Sequence, residues 1–297
     1  MARPAAVQRH PVSLQWQVNT LRLTGLSWGT PGERPLLALH GWLDNAASFA
    51  YLAPLLTGYH VVALDLTGHG QSARRSADAS YQIWDDLPEI LGVLDALGWD
   101  TFDLIGHSRG AIIATLLAST FPERVRHLVL LDAVVPEPVA EKEFPRQMRR
   151  AMQDKVRLLH SANRMFASVD DATASRADRG LPAETGRVLV ERNLVTCQQG
   201  VTWSTDPRLR GASAVKLTPG QISAVLQALS MPTLLLLSRS TSQRAPQMLD
   251  DAQRYIAGLT LHIVDGGHHF HMEPCVDVVA QYLLGFLAGI AQRESAC

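Results

Sequence analysis

Short apolar segments of strand length recur along this chain and alternate with segments of helical periodicity. Four occur in the first half of the chain and two more come late. A strand that is apolar throughout is buried on both faces, and helices between successive strands supply that cover. We therefore expect an α/β fold, with a mostly parallel twisted sheet and helices on both faces. The six segments are residues 36–39, 61–64, 102–105, 128–131, 233–237 and 261–264.

The segments around these strands complete the predicted core. Residues 14–23 alternate apolar and polar side chains, which predicts an antiparallel hairpin at one edge of the sheet. Residues 81–97 carry apolar side chains at helical spacing, with Ser80 as a candidate N-cap and Gly98 as a stop. The same period over residues 278–290 predicts a last helix that packs on the sheet.

One long segment, residues 136–218, interrupts this alternation. It is richer in Arg, Gln, Ser and Ala and contains no convincing strand, whereas residues 147–159 and 182–195 have a helical pattern. We expect a helical cap inserted at residues 136–218. The core would then consist of residues 1–135 and 219–297.

Composition narrows the class of protein. The chain has 297 residues and a net charge of −1, so nothing indicates a nucleic-acid partner. The first ten residues lack the apolar centre of a secretory signal, and no apolar run reaches the roughly 20 residues of a membrane span. The three cysteines, Cys197, Cys275 and Cys297, are widely spaced and odd in number, so we expect no disulfide framework. These features favour a reduced, cytoplasmic protein.

The most informative motif is the segment Gly106-His107-Ser108-Arg109-Gly110, which has the pattern G-x-S-x-G. An apolar strand precedes it and a helical run follows it. The two glycines permit a sharp turn in which a Cβ would clash with neighbouring elements. The serine at its apex is then held where a base can reach its hydroxyl.

Three further motifs follow predicted strands. The segment Asp65 to Ser72 is interpreted as a structural turn, in which we do not expect His69 to be catalytic. The other two are expected to contribute to a site. They are His40-Gly41-Trp42 after the first core strand and Gly266 to Pro274 after the last.

Together with the serine turn, these motifs resemble the α/β-hydrolase family. The resemblance covers nearly the whole chain outside the insertion, which falls where such families carry a cap. The segments Gly267 to Pro274 and Trp203 to Leu209 look like those of the serine hydrolase-like branch. The resemblance implies an α/β-hydrolase fold and a serine nucleophile, with no cofactor.

The resemblance assigns Ser108 as nucleophile and His268 as the general base. An alcohol needs a base to take its proton at neutral pH, and an imidazole titrates in that range. His268 follows a glycine and stands five residues before Glu273, which matches the family spacing, whereas His269 and His271 compete for the role. The spacing of the three histidines does not suggest metal ligands, so no metal is expected.

The oxyanion hole requires two backbone N–H groups. The resemblance implies that Arg109 and Trp42 supply them, and that His40 supports the Trp42 loop by a hydrogen bond. The Trp42 ring either faces the pocket or packs in the core. We expect Trp42, His107 and His269 to bind substrate.

The acid of the triad departs from the common pattern. The usual position follows the strand at residues 233–237 and is occupied here by Thr241, which carries no charge. Some branches take the acid from the end of the preceding strand, where this chain has Asp132. We predict that Asp132 is the acid. The alternative is that Asp132 caps the loop into the insertion and the site works as a Ser–His dyad.

The predicted function is hydrolysis of a carboxylic ester, thioester or amide of a small molecule through an acyl-serine intermediate. An apolar acyl or alkyl group is favoured by Trp42, Trp203, Phe270 and Met272, which we expect near the cleft. Alternatives with the same triad are carbon–carbon bond hydrolysis and acyl transfer. A non-catalytic protein that binds a small ligand on this scaffold is the contrasting class. The oligomeric state is not predicted.

Overall fold

The fold is described by a computed structural model for residues 10–177 and 181–289. Some of the sequence predictions concern residues outside these ranges. They are the absence of a leader at the start of the chain, the inclusion of Ile290 in the last helix and the state of Cys297. Eleven strands are present in the described ranges. In chain order they are β1 (Val12–Val18), β2 (Leu21–Trp28), β3 (Arg34–Leu39), β4 (Tyr59–Asp65), β5 (Phe102–His107), β6 (Val125–Leu131), β7 (Met165–Phe166), β8 (Leu194–Cys197), β9 (Gly200–Trp203), β10 (Thr233–Ser238) and β11 (Leu259–Val264).

Eight of these strands form one sheet in the order β1-β2-β4-β3-β5-β6-β10-β11. The hairpin β1–β2 is antiparallel and lies at one edge, as the alternation in residues 14–23 predicts, and β2 pairs antiparallel with β4. All other neighbours in this sheet pair in parallel. The predicted α/β class with its mostly parallel sheet is confirmed.

Helices cover both faces of this sheet. The α-helices are α1 (Asp86–Leu97), α2 (Arg109–Thr120), α3 (Phe144–Leu159), α4 (Val169–Ala177), α5 (Ala183–Arg192), α6 (Pro219–Gln227), α7 (Arg239–Arg244), α8 (Pro246–Tyr255) and α9 (Val276–Leu287). In β3, Leu37 and Leu39 face a core with α1 and α2, whereas Leu36 and Ala38 face a core with α9. Both cores are apolar, which is why the strands read as continuous apolar runs.

The helix predicted at residues 81–97 begins later than expected. A short 3₁₀ turn occupies Ile83–Asp85, and α1 begins only at Asp86. Pro88 explains the difference, because a proline is tolerated in the first turn of a helix but breaks a hydrogen bond in its interior. The predicted stop is confirmed, since Gly98 adopts a left-handed conformation with φ of 68°.

The insertion contains strands as well as helices, so its description as purely helical is wrong. Helices α3, α4 and α5 lie in it, but so does a three-stranded antiparallel sheet in the order β7-β9-β8. The ring of Trp203 packs edge-on to Phe166 at 5.1 Å, giving this sheet a small core of its own. Its strands have two to four residues, which is too short for a period of two to be evident.

Buried polar contacts fasten the insertion to the core. Arg192 of α5 forms hydrogen bonds of 2.7–3.1 Å with both carboxylate oxygens of Asp65, at the end of β4. Arg176 of α4 pairs with Asp44 in the loop after β3. No helix in the described part of the chain is long and apolar enough to cross a membrane.

Candidate active site

Ser108 occupies a strained turn between a strand and a helix. β5 ends at His107 and α2 begins at Arg109, which leaves Ser108 with a φ of 51° and ψ of −118°. A Cβ on Gly106 would lie 2.4 Å from the carbonyl oxygen of Gly110, and one on Gly110 would lie 2.1 Å from that of Leu39. Both glycines are therefore required for the close approach of β5, α2 and β3.

The structure brings Ser108, His268 and Asp132 together in a line of hydrogen bonds. Nε2 of His268 lies 2.9 Å from Oγ of Ser108, and Nδ1 of His268 lies 2.6 Å from Oδ2 of Asp132. Each residue comes from the carboxyl edge of a different strand of the parallel sheet, namely β5, β11 and β6. This edge is where open α/β sheets place their ligand sites.

Asp132 is held as an anion by three donors. Its Oδ1 accepts a hydrogen bond of 2.7 Å from the Ser238 backbone N–H, and its Oδ2 accepts one of 2.8 Å from Thr241 Oγ1. Burial alone would raise the pKa of Asp132, but these bonds and the one to His268 outweigh it and lower the pKa. Thr241, at the usual acid position, therefore acts as a donor to an acid on the neighbouring strand.

Trp42 lies at the surface of the site and not in the core. Its side chain is half exposed, and its indole Nε1 donates a hydrogen bond of 2.8 Å to the Leu209 carbonyl of the insertion. Among residues 10–177 and 181–289, the backbone N–H groups of Trp42 and Arg109 have no hydrogen-bond acceptor. The Arg109 guanidinium is fixed by Asp86 at 2.7 Å.

The loops around Trp42 are supported as the sequence suggests. His40 accepts a hydrogen bond of 3.0 Å from the Leu66 backbone N–H, and its other ring nitrogen lies 2.7 Å from the Gly41 carbonyl. Asp65 accepts hydrogen bonds from the backbone N–H groups of Ala46 and Gln71. These contacts agree with a structural role for the Asp65 to Ser72 turn.

His107, expected to bind substrate, is fully buried and is not part of the wall of the cavity at Ser108. Its Nε2 donates a hydrogen bond of 2.8 Å to the His268 carbonyl. Burial, followed by the neighbouring His269 and His268, lowers the pKa of His107 to about 3, so the ring is neutral at pH 7. His107 therefore supports the loop that carries the base.

The other two histidines of that loop have different environments. His271 is buried and its Nε2 lies 2.8 Å from Oγ of Ser48. His269 lies on the wall of the cavity at Ser108, and its Nε2 lies 3.0 Å from Oδ2 of Asp44. Neither has a hydrogen bond to Ser108 among the described residues, whereas His268 does.

Asp44 and Arg176 also line this cavity, although neither is among the site residues predicted from the sequence. Asp44 is buried, and burial would raise its pKa, but the hydrogen bond with His269 and the charge of Arg176 hold the pKa well below its ordinary value. A signal for Asp44 was available, because an acid two residues after Trp42 lies in the same loop. Arg176 carries no comparable signal, since it lies on a helix of the insertion.

Two cavities meet at Trp42. One, of about 190 Å³, contains Ser108 and His268. The other, of about 240 Å³, is largely apolar, and the expected Trp203, Phe270 and Met272 do not line it. Phe270 and Met272 belong to the core beneath α9, because a 3₁₀ turn carries both side chains inward. The apolar lining consists of Trp42, Tyr81, Ile83, Trp84, Ile112, Pro136, Leu209, Val215 and Leu217.

Comparison with known families agrees with this geometry. A family model described as alpha/beta hydrolase fold matches residues 34–274, which is most of the chain. The chain therefore belongs to the α/β-hydrolase family.

Within that family the chain belongs to the serine hydrolase-like branch. It is 30% identical over 267 residues to a serine hydrolase-like protein of Dictyostelium discoideum, covering 83% of this chain and 73% of the relative. A serine hydrolase-like protein of Danio rerio is 28% identical over 298 residues, with coverage of 95% and 90%.

Solved structures with the same fold are similar over nearly their whole length. A hypothetical protein from Pseudomonas aeruginosa PAO1 is 34% identical with a TM-score of 0.88, covering 93% of this chain and 99% of that one. A thioesterase domain from the curacin biosynthetic pathway is 26% identical with a TM-score of 0.79, with coverage of 92% and 99%.

Proposed function

We propose that this protein is a serine hydrolase that cleaves a carboxylic ester, thioester or amide through an acyl-serine intermediate. The observation that carries the proposal is the line of hydrogen bonds from Ser108 through His268 to Asp132. A nucleophile, a base and a group that orients the base, each within hydrogen-bond reach of the next, form the arrangement needed to activate a serine hydroxyl.

In the first half of the reaction, Oγ of Ser108 attacks the substrate carbonyl carbon and its proton passes to Nε2 of His268. The resulting imidazolium is stabilised by Asp132 across the 2.6 Å contact. The negative charge on the carbonyl oxygen is received by the backbone N–H groups of Trp42 and Arg109. When the tetrahedral intermediate collapses, the leaving alcohol, thiol or amine takes the proton from His268.

In the second half, water attacks the acyl group on Ser108. His268 takes a proton from that water and returns it to Oγ of Ser108 as the carboxylic acid departs, so the enzyme regains its starting state. The site thus needs no cofactor for this cycle.

The apolar cavity next to Trp42 supports a substrate with an apolar acyl or alkyl group. Trp42 and Arg109 both line it, so it begins where the oxyanion hole is proposed. Burial of an alkyl chain contributes about 0.8 kcal/mol per methylene group, which favours longer chains until the cavity is filled. The similarity to a thioesterase domain supports the inclusion of thioesters in the proposed class.

A fluorophosphonate probe tests the proposal, because it reacts covalently with an activated serine. Native protein should be labelled, and Ser108→Ala should not be. Ser240→Ala is the matched control, because Ser240 lies in α7 outside the line of hydrogen bonds. Absence of labelling in the native protein, or equal labelling of Ser108→Ala, would contradict the proposal. A panel of p-nitrophenyl esters from acetyl to palmitoyl then defines the preferred chain.

A further inference from the structure

A second cluster of polar side chains lies beside the proposed triad and takes no part in its chemistry. It consists of Asp44, His107 and His269. Each offers one ligand atom, and these atoms all lie within 4.8 Å of one another. Asp44 and His269 line the cavity that holds Ser108, so small solutes can reach the cluster from that cavity.

One ring nitrogen of His107 faces this cluster with a lone pair that forms no hydrogen bond. Its Nε2 donates to the His268 carbonyl, so its Nδ1 is unprotonated in the neutral ring. Nδ1 is buried without a hydrogen-bond partner and lies 4.0 Å from Oδ2 of Asp44. Oδ2 accepts a hydrogen bond of 3.0 Å from Nε2 of His269, but no donor from the described residues lies between it and Nδ1 of His107, an arrangement that a cation stabilises.

We propose that Asp44, His107 and His269 form an inhibitory site for a divalent transition-metal ion such as Zn²⁺. Two imidazole nitrogens and one carboxylate oxygen are ligands that zinc prefers. Three protein ligands leave a fourth position open toward the cavity, which water can fill. Arg176 remains on the other carboxylate oxygen, Oδ1, as a hydrogen-bonded support of the ligand.

Binding changes the hydrogen bonds of the cluster in a defined way. Nε2 of His269 donates the hydrogen bond of 3.0 Å to Asp44; to bind the ion it releases that proton to solvent, and Nδ1 takes one up in its place. Zinc bonds of about 2.0–2.2 Å place neighbouring ligand atoms about 3.4 Å apart. Nδ1 of His107 lies 4.0 Å from Oδ2 of Asp44 and must approach it by roughly 0.6 Å, whereas Nε2 of His269 lies 3.0 Å from that oxygen and must move away by roughly 0.4 Å.

These movements explain why the ion would inhibit. His107 holds the His268 carbonyl at 2.8 Å, and His269 is bonded directly to His268 along the chain. Movement of either residue displaces the ring of His268, which must stay 2.9 Å from Oγ of Ser108. A displacement of about 1 Å at a catalytic group lowers rates by about 100-fold.

Isothermal titration of the full-length protein with ZnCl₂ tests binding without any reference to turnover. Native protein should bind Zn²⁺ at the cluster, and Co²⁺ in its place should give the visible absorption bands of a four-coordinate site. Both His269→Ala and Asp44→Asn should lose this binding event and these bands. His160→Ala is the matched control, since this exposed histidine at the end of α3 is remote in sequence from the cluster.

Inhibition is measured as the ratio of p-nitrophenyl ester turnover with and without ZnCl₂ in each variant. The ratio should be about 0.1 or lower in native protein and in His160→Ala, and near one in His269→Ala. Circular dichroism shows whether each variant is folded. Retention of the binding event in both His269→Ala and Asp44→Asn, or no binding by the native protein, would overturn the proposal. The titration detects metal binding even if the esters are not hydrolysed. Failure of the metal-site proposal can therefore be distinguished from failure of the proposed hydrolase function.

Discussion

The carboxylate of Asp132 lies 2.6 Å from Nδ1 of His268, although 136 residues separate them along the chain. Asp132 follows β6 and His268 follows β11, and the contact forms because both strands pair in parallel with β10, so that all three carboxyl ends lie at the same edge of the sheet. An acid after either β6 or β10 can therefore reach the same histidine. In this chain the acid follows β6, and the residue after β10, Thr241, donates to it at 2.8 Å.

Replacing Asp132 by Asn should lower kcat for an activated ester by about 10⁴-fold with little change in KM, as expected when the base loses its orienting anion. Asn keeps the size of the side chain and an oxygen that can accept the 2.7 Å bond from the Ser238 backbone N–H. Steady-state kinetics with p-nitrophenyl acetate measures the change. Asp265→Asn is the control, because this exposed acid at the same sheet edge pairs with Arg239. Near-normal turnover of Asp132→Asn would favour the dyad.

A carboxylate at position 241 should partly rescue that variant. Oγ1 of Thr241 lies 2.8 Å from Oδ2 of Asp132, so an aspartate there extends toward the same space beside His268. We expect the double variant Asp132→Asn, Thr241→Asp to recover kcat on the order of tenfold over Asp132→Asn alone. Thr241→Asn in the same background supplies the shape without the charge. Equal rates for the two double variants would show that position 241 does not offer a working acid.

The sequence predicts the parts of the site that follow strands. Ser108 and Asp132 come directly after apolar runs, and the ends of parallel strands meet at one edge whatever the loops do. The contacts of Asp44 could not be predicted in this way, because they join the loop after β3, a histidine two residues past Gly267 and a helix of the insertion. The small sheet of the insertion was missed because strands of two to four residues leave no period to detect.

Replacing Gly110 by Ala should strongly destabilise the fold. Its Cβ would lie 2.1 Å from the Leu39 carbonyl oxygen, which is backbone of the central strand β3 and has no room to move. We expect a loss of at least about 3 kcal/mol in the free energy of unfolding, at the upper end for overpacking. Gly285→Ala in α9 is the control, since no atom lies within 4 Å of its added Cβ. Gly285→Ala should stabilise the fold by about 0.5–1 kcal/mol, because alanine has the higher helix propensity. Urea denaturation measures both changes. A Gly110→Ala variant as stable as the native protein would contradict the predicted clash.

The buried His69 should make the fold less stable in acid. Burial, then the charges of His40 and Arg109, lower its pKa well below 6.5, against smaller opposing effects of the Thr67 carbonyl and Asp44. Below pH 6.5 the unfolded chain therefore binds a proton that the folded chain excludes. This contribution is complete above pH 6.5 and is lost as the pH falls toward the folded-state pKa.

A His69→Leu variant tests this linkage. It should reduce the slope of unfolding free energy against pH between 6 and 5 by up to about 1.4 kcal/mol per pH unit. The native protein provides the comparison. Urea denaturation at several pH values gives the slopes. An unaltered slope in His69→Leu would show that His69 titrates alike in both states.

Removal of Arg192 should destabilise the attachment of the insertion. Its guanidinium contacts both oxygens of Asp65, whose side chain is fully buried. Loss of one partner from a buried ion pair leaves an uncompensated charge, so Arg192→Ala should cost about 3 kcal/mol in the free energy of unfolding. Arg192→Lys should recover only part of this, since an ammonium cannot bind two oxygens in the same fork.

Arg187 on the same helix provides the matched control. It pairs with Asp170 and Glu191, but all three side chains are at least half exposed, so Arg187→Ala should change stability by less than about 1 kcal/mol. Urea denaturation of the three variants gives the comparison. If Arg192→Ala were no more costly than Arg187→Ala, the donors from Ala46 and Gln71 would suffice to hold the Asp65 carboxylate. The insertion would then depend on its apolar contacts for attachment.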